Sequence, residues 1–205
     1  MKKLLRNSLL LGAAVLGVGS VGSVVDAATT TPTPVSSSAT ADITPGTISL
    51  SSAPSFSFGT VPASADDATY TSTSVTGDIA LADAGSGAGY TVSVAASPFT
   101  ATDGSSLKNA QLSLDNNVTT PVKAVDADNV STPPTLIANL TLSNSPVNVL
   151  SAASGSGVGA YTASYADGDA LLKVPAGNIG GSYSSTLTWT LSNAPTTAPT
   201  SSTTA

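Results

Sequence analysis

Apolar residues along this chain recur mostly at every second position, in short runs separated by Gly, Pro, Asn and Asp. Tyr90, Val92 and Val94 fall on one side of such a run, and Thr91 and Ser93 fall on the other. Leu112 and Leu114 share a face, as do Leu136, Ala138, Leu140 and Leu142. Comparable segments are Thr47–Leu50, Ser55–Gly59, Tyr70–Ala82, Val147–Leu150, Tyr161–Tyr165 and Ala170–Val174. Successive side chains of a strand point to opposite faces, so period two between turn residues marks half-buried antiparallel strands. About ten short segments of this kind predict an all-β chain, a single antiparallel β-sandwich or barrel-like domain with little helix.

The strongest alternation closes the chain. Tyr183, Ser185, Leu187, Trp189 and Leu191 occupy one face, and Ser184, Thr186, Thr188, Thr190 and Ser192 the other. Asn193-Ala194-Pro195 ends the run, because Pro has no N–H to give a ladder. Trp189 and Leu191 stand in register with Leu187 and Tyr183, which is how core residues are spaced. The competing role for Trp189 is direct ligand contact, since an aromatic ring stacks well on a sugar face.

The two ends differ from this body. Residues 1–27 read as a secretory signal peptide: Lys2, Lys3 and Arg6 form a positive start, Leu9 to Val18 an apolar stretch, and Val25-Asp26-Ala27 a small-residue cleavage site. Residues 28–41 form a Thr/Pro/Ser-rich linker too polar and proline-rich to pack, and residues 196–205 a similar disordered tail. The β-domain is expected over residues 42–195. No second apolar run reaches the ~18 residues of a membrane span, and no Leu-Pro-x-Thr-Gly sorting motif occurs. Export is therefore expected, and a protein of this kind that stays at the surface does so without a covalent link by that motif.

Composition narrows the partners. Charged residues make up only 9 % of the chain, all 12 acidic residues are Asp, and the net charge is −6. Once residues 1–27 are removed, Lys108, Lys123 and Lys173 are the only cations. Binding to phosphates needs clustered Lys or Arg, so nucleic acid is excluded as a partner. Ser and Thr take the outward positions that charges occupy in most soluble domains. There is no Cys, so stability must come from a packed core.

Catalytic chemistry is hard to assemble from these residues. With no His and no Cys, the usual proton shuttle, thiol nucleophile and commonest zinc ligands are missing. A pair of carboxylates could in principle cleave a glycosidic bond. The candidates Asp66-Asp67, Asp126-x-Asp128 and Asp167-Gly168-Asp169 each lie in turn-like sequence, where Asp commonly bonds its own backbone. Asp126-Ala127-Asp128-Asn129 echoes the start of a calcium loop, but no Gly follows at the required place and no Glu closes it. No enzyme activity, no cofactor and no metal site is expected.

Three ordered elements resemble a known family. Gly181-Ser182-Tyr183 followed by Leu187-Thr188-Trp189-Thr190-Leu191-Ser192-Asn193-Ala194-Pro195 is similar to the C-terminal signature of WxL-domain proteins, surface proteins of low-GC Gram-positive bacteria. Pro45-Gly46-Thr47-Ile48-Ser49-Leu50, then Pro54-Ser55-Phe56-Ser57-Phe58-Gly59, resembles that family's opening stretch. Asp83 with Gly89-Tyr90-Thr91-Val92 falls where the family has a first Trp-x-Leu-like element, here with Tyr in place of Trp. The resemblance implies non-covalent association with the cell wall, with peptidoglycan the proposed ligand and partner surface proteins in complexes. It makes Trp189, Leu191, Tyr90 and Val92 the motif residues, expected to be structural, and leaves the wall-contacting residues unassigned. The alternative is an interaction protein that docks to partner surface proteins or host matrix rather than to glycan. The loops singled out for any further activity are Asp83 to Gly89 and Gly155 to Gly159.

Overall fold

The computed structural model describes residues 33–115, 117–118 and 121–193. The expected signal peptide, the first residues of the linker and the tail 196–205 lie outside the described residues. Contacts divide the chain at residues 41/42. In the first unit, residues 33–41 are exposed and carry no regular secondary structure.

The second unit is built from fourteen strands: β1 (Ile48–Ser52), β2 (Ser55–Ser57), β3 (Ala68–Thr71), β4 (Ser74–Thr76), β5 (Ile79–Asp83), β6 (Tyr90–Ala96), β7 (Gln111–Leu114), β8 (Val122–Ala124), β9 (Thr135–Leu136), β10 (Leu140–Leu142), β11 (Val147–Ala152), β12 (Gly159–Ala163), β13 (Ala170–Val174) and β14 (Leu187–Ser192). Every pairing is antiparallel. Three sheets have four strands each, in the orders β1-β5-β12-β8, β10-β7-β13-β3 and β14-β6-β11-β9, and β2 and β4 pair alone. Among the described residues there is no helix, and none long and apolar enough to cross a membrane. The all-β class expected from the alternation is the one observed.

One hydrophobic cluster joins the three large sheets, drawing on Ile79 and Leu81 of β5, Tyr90, Val92 and Val94 of β6, Leu112 and Leu114 of β7, and Tyr161 and Ala163 of β12. Alternation on the central strands produces it directly. Ile79, Leu81 and Asp83 of β5 point inward while Ala80 and Ala82 are half-buried. On β11 a bulge between Asn148 and Leu150 breaks the alternation, so that Val149 and Leu150 are both buried. A bulge adds an unpaired residue and shifts the facing of everything after it.

The strands outnumber the segments expected because several runs are interrupted. Tyr70–Ala82 divides into β3, β4 and β5, with Gly77 at φ 81° turning the chain between the last two. Leu136 to Leu142 does not form one face. Asn139, at φ 58°, breaks it into β9 and β10, which belong to different sheets. Asn tolerates this left-handed conformation better than most residues, so the break is chemically cheap. The closing strand starts at Leu187, and Ser184 instead bridges Thr100.

Candidate functional site

The closing strand β14 lies at the edge of its sheet and, among the described residues, pairs only with β6. Leu187, Trp189 and Leu191 are half-buried and pack on the core cluster, while Thr188, Thr190 and Ser192 are exposed. The register sets Trp189 opposite Val94 and Leu191 opposite Val92. Tyr90 and Val92, on the neighbouring strand, are fully buried. The two motif elements, distant in sequence, thus share adjacent strands and one core-facing surface. Burial of Trp189 is incomplete because no strand among the described residues covers its outer flank.

Tyr90 sits beneath the loops flagged from the sequence. Its hydroxyl donates to the Gly157 carbonyl at 3.3 Å. Gly157 has φ 72°, and a Cβ there would lie 2.7 Å from the Tyr90 hydroxyl and 2.6 Å from the Ala152 Cβ, so both backbone conformation and space require glycine. Burial, then the nearby Tyr161 and Asp83, push the Tyr90 hydroxyl well above the ordinary tyrosine range.

Asp83 holds the first of those loops. Its buried carboxylate accepts from the Ser86 N–H at 2.6 Å, the Gly87 N–H at 3.2 Å and the Ser86 hydroxyl at 3.4 Å. The Gly155 N–H then donates to the Gly87 carbonyl at 2.9 Å, tying the two loops together. Asn129 joins the same knot, donating from Nδ2 to the Val158 carbonyl at 3.0 Å. Asp83–Gly89 and Gly155–Gly159 therefore meet, but as a cross-bonded cap in which the polar groups serve one another.

The remaining Asp pairs also serve the backbone. Asp67 accepts from the Ala176 N–H at 2.9 Å, and Asp126 from the Asp128 N–H at 3.0 Å. Asp167 accepts from the Val75 N–H at 2.8 Å. Asp169, buried, accepts from Asn117 and from the Ala166 N–H. Among the described residues no three carboxylates, histidines or cysteines converge as a metal site would require.

An open concavity lies elsewhere, and sequence reasoning missed it. A cleft of about 510 Å³ is walled by β2, the loop from Phe58 to Asp66, β3, and the Gly-rich loop from Pro175 to Ser185. Phe58, Tyr70, Phe99 and Tyr183 supply aromatic surface, above a floor that includes Leu112 and Leu172. The Tyr70 hydroxyl is anchored on the Pro62 carbonyl at 2.7 Å and that of Tyr183 on the Ile179 carbonyl at 2.9 Å, so each ring braces the loop beside it. Asn178 locks the second loop to the neighbouring chain, accepting from the Lys108 N–H at 2.6 Å and donating to the carbonyls of Lys108 and Pro175. Asp66 is the one charged residue among those lining the cleft. Of β14 only Leu187 reaches its wall.

An antiparallel all-β surface with a half-buried Trp-x-Leu edge strand, a buried counterpart on the adjacent strand and an aromatic cleft with a single charged residue has the features of a binding domain. A family model described as WxL domain, surface cell wall-binding, matches residues 20–195, and the chain belongs to that family. No curated protein and no solved structure matches it. Family membership makes this a surface domain that binds the cell wall.

Proposed function

We propose that this protein is exported, carries no catalytic activity, and holds to the wall through peptidoglycan, with the aromatic cleft as the contact surface. The observation that carries this reading is the cleft's chemistry. Rings of Phe58, Tyr70, Phe99 and Tyr183 line a concavity rimmed by Ser and Thr hydroxyls and almost free of charge. Sugar rings present apolar faces and hydroxyl edges, which such a lining complements. Glycoside cleavage takes two carboxyl groups flanking the bond, and Asp66 alone lines this cleft. The amino-terminal charge and hydropathy pattern supports delivery by secretion. In this reading Trp189 and Leu191 are structural, fixing β14 against β6 beside the cleft.

The test is retention of the purified protein on isolated sacculi, without other proteins present. Tyr183→Ala and Tyr70→Ala are expected to weaken retention roughly tenfold each, the worth of one ring contact. Trp189→Ala is expected to cost about 3 kcal/mol of stability, from ~120 Å² of apolar surface returned to water, and to leave retention of the folded fraction intact. Failure of the unmodified protein to be retained would overturn the proposal and direct attention to partner surface proteins or host matrix.

A further inference from the structure

The outer edge of β14 is built to be paired. The Ser97 N–H donates to the Thr186 carbonyl at 2.9 Å, while the Ala96 N–H turns away to the Ser143 carbonyl at 2.8 Å. Because Leu187 stands opposite Ala96, the antiparallel alternation directs the backbone groups of Leu187, Trp189 and Leu191 away from β6. Among the described residues no strand meets them there.

Most other sheet edges in the domain are blunted, the exception being β3, an uncharged edge of only four residues. β9 has two residues and follows Pro133-Pro134, β8 has three including Lys123, β10 has three, and β1 is bulged between Leu50 and Ser52. β14 has six residues, no charge, no proline and a regular register throughout. Natural sheets use short length, charge, proline or bulges to prevent edge-to-edge pairing, and β14 uses none of them.

Its sequence also specifies the occupant. Leu187-Thr188-Trp189-Thr190-Leu191 reads the same in both directions about Trp189. An antiparallel copy centred there sets Trp189 against Trp189, Leu187 against Leu191 and Thr188 against Thr190, and the next pair, Thr186 with Ser192, is also hydroxyl with hydroxyl. Apolar groups meet on the core side and hydroxyls on the solvent side, with no mismatch at any position. The outward-facing groups of Trp189 then fall in a hydrogen-bonded pair on the two-fold axis. Such a contact is isologous and closes after two copies.

We propose that the protein forms a two-fold dimer by antiparallel pairing of β14 with β14 of a second copy, joining two four-stranded sheets into one. The half-buried Leu187, Trp189 and Leu191 gain cover in the process. This interface meets the aromatic cleft only at Leu187 and does not rest on what the cleft binds.

Sedimentation equilibrium of the purified protein tests it with two variants on the exposed face. In T188K/T190K the lysine placed at position 188 lies opposite the lysine at position 190 of the other copy, and dimerisation is expected to weaken by at least ~100-fold. In T188E/T190K the facing residues are Glu and Lys, and the dimer is expected to return. Side chains 188 and 190 are exposed, so both variants keep the core, which unchanged circular dichroism verifies. A protein that remains monomeric up to about 1 mM, or a dimer insensitive to T188K/T190K, overturns the proposal, as does a T188E/T190K variant that stays monomeric.

Discussion

Tyr161 and Tyr165 allow the same atom to be removed from two buried sites with opposite expected outcomes. Both side chains are enclosed, at 1 % and 5 % exposure. The Tyr161 hydroxyl donates to the Ser131 carbonyl at 3.0 Å. The Tyr165 hydroxyl is buried without a hydrogen-bond partner among the described residues. Its ring packs edge-on against Phe56, with centroids 5.6 Å apart and planes at 72°, a contact that Phe would keep. The nearby Asp169 carboxylate accepts instead from Asn117 and Ala166. A buried polar group without a partner costs about 1–3 kcal/mol, and deleting it returns most of that, less a small void. Tyr165→Phe should therefore stabilise the fold by about 1 kcal/mol. Tyr161→Phe breaks a bond worth ~1 kcal/mol and strands the Ser131 carbonyl, so it should destabilise by about 1–2 kcal/mol. The two variants should melt about 4–12 °C apart on either side of the unmodified protein, given ~2–4 °C per kcal/mol for a chain of this size. Urea titration of both variants, with unchanged m-values, measures the difference. If Tyr165→Phe is destabilised as much as Tyr161→Phe, the Tyr165 hydroxyl is engaged and the reasoning fails.

Two further outcomes are expected from the same groups and from the capping loop. Burial raises the hydroxyls of Tyr90 and Tyr165 above the ordinary value of about 10, so the unfolded chain releases their protons first as pH rises. Their contribution is full below pH ~10 and is lost as pH climbs toward the folded-state values; urea midpoints should fall above pH ~10, and less steeply in Tyr165→Phe. Asp83→Ala should cost about 3 kcal/mol, because it strands the Ser86 and Gly87 N–H groups, whereas Asp83→Asn, which keeps one acceptor, should cost roughly half of that in thermal melts.

Much of the architecture was legible because half-buried antiparallel strands write their facing into the chain. Leu187, Trp189 and Leu191 alternate with Thr188, Thr190 and Ser192 in the structure as in the sequence. The β9/β10 break at Asn139 was not legible, since Leu136, Ala138, Leu140 and Leu142 keep period two straight through it. A single left-handed residue redirects the next strand without disturbing the hydrophobic pattern. The Asp residues were readable as turn formers, but not which would be buried. Asp83 and Asp169 are enclosed because neighbouring turns offer them N–H groups, a property of tertiary placement. The cleft left no local signal. Its rings come from Phe56, Phe58, Tyr70, Phe99 and Tyr183, scattered over four segments, and only pairing brings them together. The weak hint was the presence of two irregular stretches, Gly59–Asp66 and Pro175–Ser182, rich in Gly, Pro and Ser, between confident strands.

The pairing of β14 with β6 also sets an order of events on the chain as it is made. β6 waits, with one flank of its ladder open, until the last strand of the domain has been synthesised. Contacts between segments so far apart are slow to form because a long loop must close first. A chain interrupted anywhere before Leu187 lacks the strand that completes this sheet. The most recognisable segment of the protein is therefore also its latch, and completion of this sheet is deferred until that strand has been made.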